Sequence, residues 1–359
     1  MRQKSKYDTS EYKVTYLIGA GASANALPTV KKTQTTGGIA NSMRKFADTL
    51  IKDSSIIASH KDYVDKMAGD LHWLAVNSDK FLTPDTFAKF LYLNDQENLV
   101  RLKNAMSFYF TVEQFINDKF DNRALIFLTT VMQIKGILPT NIKILNWNYD
   151  FQIQLAGEVF REEKFYPPEE GSASSHHQPI ISYFPTLGFA RKIIYDDSNE
   201  SNEVSMVHLN GIAGFYYDKQ SDLILNDFLN QKPKDINEII EKVHSDNQIR
   251  INSMIFAWEQ DTEGAELLRN RTKFAKSVAK DTDILVIIGY SFPDFNHAVD
   301  KQIFEALTAT GKLKKIFYQD PIKTGEFLRK QFELSEGIEI THISEVDNYY
   351  VPKELLTVA

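Results

Sequence analysis

The chain has 359 residues, 43% of them apolar and 12% aromatic, enough to bury a sizeable core in one large domain with an insertion or in two domains, and unlike a disordered chain. Its 41 basic and 48 acidic residues leave a net charge of −7 without a long basic run, which disfavours duplex DNA as a main partner. The absence of cysteine excludes disulfides, thiolate metal ligands and thiol nucleophiles, and fits a reducing cytoplasm. The opening stretch MRQKSKYDTSEYK is polar and unlike a signal peptide, and no window approaches the roughly 18 apolar residues of a membrane span, so a cytoplasmic protein is expected.

In chain order, the first buried run is Val14 to Ile18, followed by the small residues Gly19-Ala20-Gly21-Ala22-Ser23. A strand leading into such a turn admits two readings. It is either a tight structural turn or a phosphate cradle, in which bare backbone N–H groups approach a pyrophosphate and the following helix adds its positive dipole end. The full G-x-G-x-x-G is not present, although Ala24 supplies a last small residue. The acidic residue that ends a second strand about 20 residues on in dehydrogenases is missing, because Thr33 to Ala40 is polar and not strand-like, so hydride transfer is not supported.

Residues 40–135 differ in character. Aromatic and aliphatic side chains recur at helical spacing, as in TFAKFLYLNDQENLVRLKNAMSFYFTVEQFI, which predicts a helical insertion or cap. Further buried strands are expected at Ile142 to Asn146, Met206 to Leu209, Met254 to Ala257, Ile284 to Gly289 and Ile316 to Tyr318. Several end in Gly, Asn or Asp ahead of helical patterns, which predicts parallel strands whose carboxyl ends share a crevice. YPPEEGSASSHHQP, 166–179, reads as a long exposed loop; the adjacent His176 and His177 in it are poorly placed to chelate one metal ion, and no metal is expected.

Three later segments, ILNWNYD (144–150), MVHLNG (206–211) and LVIIGYSFPDFN (285–296), taken in order after GAGAS, resemble the sirtuin-like family, in particular its prokaryotic branch of NAD-hydrolysing antiphage effectors. The resemblance spans residues 14–296. It implies a doubly wound, mostly parallel, Rossmann-like α/β domain formed by residues 1–39 and 136–359, with the helical insertion at 40–135. Gly19, Ala20, Gly21 and Ser23 match the family's phosphate-binding loop. Asn148 and Asp150 match its Asn-x-Asp element, where the Asn is essential to cleavage at the nicotinamide ribose and the Asp helps hold the nicotinamide end. Gly289 and Ser291 match the turn that meets the adenosine half of NAD, and Asp320 is a candidate for the adenosine ribose. TPDTFAKFL (83–91) is similar to a segment of the antiphage branch and is assigned no chemistry.

The chain departs from the family at the middle strand, where Asn210-Gly211 stands in place of His-Gly. His208 lies two residues earlier and, on an extended strand, on the same face, so His208 or Asn210 fills the position of the base. Each of these residues also has a plain structural reading: Asn148 and Asp150 as turn formers or helix caps, SFPDFN as a turn and cap, and His208 as a core histidine. Without cysteine the chain lacks the zinc lobe of sirtuin deacylases, which favours water as acceptor of the ADP-ribosyl group.

Chemistry agrees with these residue types. Breaking the nicotinamide glycosidic bond builds positive charge on the ribose, which carboxamide and carboxylate oxygens stabilise, and an Asn amide can hold both a ribose hydroxyl and a water. The expectation is an NAD hydrolase, with NAD as its substrate, releasing nicotinamide and ADP-ribose or a cyclic form of it. Such an activity must be gated. The resemblance implies an oligomer and a separate sensor chain, such as a HerA-like ATPase ring or a nucleotide-recognising subunit, in defence by NAD depletion. Two rivals remain: a non-catalytic subunit that binds NAD or ADP-ribose, and an assembly subunit joined through its aromatic helices.

Overall fold

The computed structural model describes residues 12–30, 38–132, 138–162, 181, 183–184, 204–218, 223–225, 228, 232–259 and 271–356. The expected loop at 166–179, with His176 and His177, lies outside them. In chain order the elements are β1 (Val14–Ile18), α1 (Gly38–Lys52), α2 (Lys61–Lys80), α3 (Pro84–Asn94), α4 (Gln96–Phe115), α5 (Asn122–Val131), β2 (Ile142–Asn146), α6 (Gln152–Glu162), β3 (Tyr183–Phe184), β4 (Met206–His208) and β5 (Tyr216–Asp218). They continue with β6 (Leu223–Leu225), α7 (Ile236–Ile249), β7 (Ile251–Asn252), α8 (Arg271–Ala279), β8 (Ile284–Ile288), α9 (His297–Thr308), β9 (Lys315–Gln319), α10 (Phe327–Gln331), β10 (Glu339–Ile343) and α11 (Lys353–Leu356).

A seven-stranded sheet in the order β10-β9-β8-β1-β2-β4-β3 carries the fold, and every neighbouring pair in it is parallel. β1 sits inside it with Val14 opposite both Ile142 and Ile284. The alternation of side chains explains why helices cover both faces. Val14, Tyr16, Ile144, Met206 and Val286 point to one layer with Phe127 of α5 and Ala156 of α6, while Leu17, Leu145, Val207, Leu285 and Ile316 point to the other with Phe274 of α8 and Ile303 of α9. This is a doubly wound, Rossmann-like α/β arrangement. The chain moves from β1 towards β3, then returns to β8 on the opposite side of β1, so the strand order reverses there and a crevice is expected at the carboxyl ends of β8, β1 and β2.

Helices α1 to α4 bury their apolar faces in a core of their own, shared with α7 and with Tyr216 of β5, the middle strand of an antiparallel three-stranded sheet β6-β5-β7. Thr83 caps α3, accepting from the Thr86 N–H with Pro84 at the first turn, and Asp95 caps α4 through the Asn98 N–H, so TPDT and NDQEN are helix punctuation. α5 is different: Phe127 packs edge-on against Tyr16 of β1 at 4.8 Å. No helix among the described residues is long and apolar enough to cross a membrane.

The expected strands at 14–18 and 142–146 form as read, and those begun at Met206, Ile284 and Ile316 form within a residue of their bounds. Met254 to Ala257 does not form a strand. The Ile255 N–H donates to the Asn210 carbonyl and the Phe256 N–H to the Glu259 carboxylate, so this apolar run is a buried loop wedged behind the Asn210 turn. Strands β3, β5, β6, β7 and β10 are not foreseen; the first four have two or three residues each, and β10 is a partly exposed edge without a buried apolar run.

The two turns that leave β1 and β8 touch through their backbones. The Gly19 N–H donates to the Ile288 carbonyl at 3.0 Å and the Gly21 N–H to the Gly289 carbonyl at 2.9 Å. A Cβ on Gly21 would stand 2.7 Å from the Gly289 Cα, and one on Gly289 would stand 2.5 Å from the Ala22 nitrogen, at a left-handed φ of +59°. Gly21→Ala is therefore expected to cost about 1–3 kcal/mol of stability in denaturant titration without any ligand; unchanged stability with lost ligand binding would show that the glycine serves a ligand alone.

Candidate functional site

Across the carboxyl edge of the sheet, the ends of β9, β8, β1, β2 and β4 carry in turn Asp320, then Gly289 and Ser291, then Gly19 to Ser23, then Asn148 and Asp150, then His208 and Asn210. All the expected site residues thus fall on one edge of five successive strands. Four interstrand intervals of about 4.8 Å span about 19 Å.

At the β1 turn the structure corrects one expectation. The Gly19, Gly21 and Ala22 amides are all bonded within the junction, to the Ile288, Gly289 and Gly19 carbonyls, so they are not an open phosphate cradle. The turn continues into the single 3₁₀ turn Ala20–Ser23 rather than an α-helix, and α1 begins only at Gly38, so the anticipated helix dipole is missing there. Behind it, Arg123 is paired with Asp121 and donates to the Ala22 carbonyl at 2.9 Å, and the Tyr349 hydroxyl donates to the same carbonyl at 2.7 Å. The exposed side of the turn is Ala20; Ser23 is buried and faces β2.

Beyond β2, Asn146 Oδ1 accepts the Asn148 N–H at 2.9 Å and folds the chain back. Asn148 Nδ2 donates to Ser23 Oγ at 3.1 Å, and the Ser23 hydroxyl is bonded to the Asp150 carboxyl. Burial pushes Asp150 up to about 6, against the lowering effect of its bonds to Ser23 and to the Gln152 N–H. Above that pH the carboxylate can only accept, so Ser23 donates to it and Asn148 donates to Ser23. That order leaves Asn148 Oδ1, buried and without a partner among the described residues, as a fixed acceptor.

From β4, Asn210 donates through Nδ2 to the Trp147 carbonyl at 3.0 Å, and its buried Oδ1 likewise has no partner among the described residues. His208 is fully buried, 2.6 Å from Gln154 Nε2 of α6 and bonded to the Asn148 backbone. Burial pulls its imidazole down to about 3, so it is neutral at physiological pH. Its geometry is that of a core histidine that supports the Asn148 turn, and the strand-face argument placing it in the pocket fails because the chain turns immediately after it. Asp320 caps the turn after β9, accepting the Ile322 and Lys323 N–H groups at 2.9 and 2.7 Å through Oδ1; Ser291 is exposed.

Several residues at this edge escape the sequence reading. Asp300 of α9 accepts from Trp147 Nε1 at 3.0 Å and from the Tyr290 hydroxyl at 2.8 Å, and Asn296 Nδ2 donates to that hydroxyl at 3.0 Å. Burial pushes Asp300 up to about 8, against those two donors. On the insertion side, the Tyr149 hydroxyl donates to Asp85 of α3 at 2.8 Å, and Lys103 of α4 forms a buried 2.7 Å pair with Glu259. Trp147, Tyr149 and Tyr290 stand inside the noted motifs and Asp85 inside TPDTFAKFL, to which no chemistry is assigned, whereas Asp300 reads as an ordinary helix residue until the fold buries it.

No protein-family model matches the chain, and no curated protein matches it. Among the described residues no group of three or more His, Asp or Glu could hold a metal ion.

Asp300 has a folded pKa above its unfolded value of about 3.9, so between about 4 and 8 the folded state keeps a proton that the unfolded chain releases, and stability falls as pH rises. Asp300→Asn is expected to gain on wild type across that window, by at most about 1.4 kcal/mol per pH unit. Denaturant titrations at several pH values measure the difference; a difference independent of pH would contradict a buried, proton-holding carboxyl.

Proposed function

We propose that the crevice binds NAD with its nicotinamide ribose at Asn148 and Asn210 and its adenosine half towards Ser291 and Asp320, and that the chain hydrolyses it to nicotinamide and ADP-ribose or a cyclic form of it. The observation that carries this reading is the pair of buried carboxamide oxygens, Asn148 Oδ1 and Asn210 Oδ1, without a partner among the described residues, at the ends of the neighbouring strands β2 and β4, beside the point where strand order reverses. A buried amide oxygen without a partner costs about 1–3 kcal/mol, a cost that a ribose hydroxyl or a positioned water relieves. In the reaction the bond from the ribose anomeric carbon to the nicotinamide nitrogen breaks, and its electron pair leaves on nicotinamide. The oxocarbenium-like carbon is stabilised by the amide oxygens, and water adds to it and releases one proton.

Constant hydrolysis would drain cellular NAD, so the activity belongs to a gated effector of antiphage defence, acting in an oligomer and triggered through a separate chain such as a HerA-like ATPase or a nucleotide-recognising subunit. This part rests on the sirtuin-like resemblance. A second reading, a subunit that binds NAD or ADP-ribose without cleaving it, is favoured by one observation: His208 is sealed in the core, away from the crevice where a base would act. Assembly through the insertion is compatible with either reading, because Leu82, Phe90 and Leu93, before and on α3, are exposed apolar residues.

Asn148→Ala is expected to lower NAD consumption by about 100-fold or more while the protein melts close to wild type, since positioning is lost rather than packing; near-normal turnover would remove Asn148 from the chemistry. Because the Asp150 carboxylate orders the Ser23–Asn148 chain, turnover should rise with pH through about 6. Asp150→Asn should abolish that step and His208→Ala should leave it in place. A step that survives in Asp150→Asn and vanishes in His208→Ala would return the proton chemistry to the histidine.

A further inference from the structure

Asp300 is 1% exposed, and among the described residues no cation pairs with it. Its two oxygens are divided between two neutral donors from the turns after two different strands: Oδ1 takes the Trp147 indole N–H, from the residue preceding Asn148, and Oδ2 takes the Tyr290 hydroxyl, from the residue preceding Ser291. The two rings are stacked at 5.9 Å with their planes 15° apart. A buried acid with no counter-ion is costly, and hydrophobic packing alone would close this layer with Leu or Phe. What the carboxyl adds is a divergent two-armed acceptor that fixes both rings at once.

The main chain of the Tyr290 turn is held by the Gly21 N–H to Gly289 carbonyl bond and by the Tyr318 hydroxyl, which donates to the Tyr290 carbonyl at 3.0 Å; Asp300 holds its ring. Gly289 and Phe292 flank it at left-handed φ values of +59° and +54°, and Phe292 is held in that state by packing against Phe304, Phe327 and Phe332. Asn296 completes the clamp through its bond to the Tyr290 hydroxyl. β1 lies between β2 and β8, so among the described residues, apart from the stacked Trp147 and Tyr290 rings, the two turns meet only through the β1 turn. Asp300 spans that gap.

We propose that Asp300 is a positioning residue that sets the spacing between the nicotinamide-side turn carrying Asn148 and the adenosine-side turn carrying Ser291, by holding Trp147 and Tyr290 on one carboxyl group. Its role for NAD rests on the reading above. The consequence concerns ligand length: a ligand reaching both turns depends on Asp300, whereas a fragment that occupies one turn does not.

The experiment compares Asp300→Leu, which removes both acceptors, with Asp300→Asn, which keeps an acceptor for the indole and a polar partner for Tyr290. Calorimetric titration with ADP-ribose and with AMP is the first readout, and the KM and kcat for NAD are the second. Asp300→Leu is expected to weaken ADP-ribose binding and raise KM at least tenfold while AMP affinity stays within about threefold, and Asp300→Asn to restore ADP-ribose binding to within about threefold of wild type. A parallel loss of both ligands, or no loss of either, overturns the proposal. If Asp300→Leu does not fold, Tyr290→Phe, which keeps the ring and removes one donor, carries the same comparison with the same outcomes. If the wild-type chain binds neither ligand, the functional reading fails on its own. The clamp is then tested by acrylamide quenching of Trp147, taken as the difference from Trp147→Phe, which should be low in wild type and Asp300→Asn and at least twofold higher in Asp300→Leu; equal quenching in all three overturns it.

Discussion

The contact between the turn after β1 and the turn after β8 is the constraint on which the candidate site depends. Two backbone segments meet without side chains between them, joined by the Gly21 N–H to Gly289 carbonyl bond, and each glycine occupies space the other would need for a Cβ. This accounts for the first and third residues of GAGAS by chain packing. Two residues on, the Ser23 hydroxyl links the β1 turn to Asn148 and Asp150 beyond β2. Arg123 and Tyr349 hold the same turn from behind by its carbonyls, so its position is set from both sides before any ligand arrives.

Burial, more than charge pairing, decides what the polar groups at this edge can do. Asp150 and Asp300 are both raised because water is excluded from them, and His208 is lowered for the same reason. Buried ion pairs stand one layer back, Asp121 with Arg123 and Lys103 with Glu259. The crevice therefore offers neutral hydrogen-bonding groups whose orientation depends on the protonation of one carboxyl. Such an environment suits the stabilisation of a short-lived positive charge, where preformed dipoles act at low dielectric.

Much of the fold was legible in the sequence because parallel strands buried on both faces announce themselves as short apolar runs, as at VTYLI and ILVII. The order GAGAS, NWNYD, HLNG, GYS also located the strand-end residues from Gly19 to Ser23, Asn148, Asp150, His208, Asn210, Gly289 and Ser291. What it did not carry is direction and depth. The period-two argument for His208 fails because the strand ends there, and Met254 to Ala257 looked like a strand because a buried loop and a buried strand have the same composition. Asp300 was invisible for another reason: a single acid on the buried face of α9 acquires meaning only from Trp147 and Tyr290, residues 153 and 10 positions away in the chain.

The claim that this edge is a dinucleotide site is tested most directly by a crystal structure of the chain soaked with ADP-ribose. The account predicts electron density for the ligand running across the strand ends, its distal ribose hydroxyls within hydrogen-bonding distance of Asn148 Oδ1 or Asn210 Oδ1 and its adenosine beside the Ser291 turn. A ligand seated elsewhere, or one that leaves both amide oxygens without a partner, would contradict it.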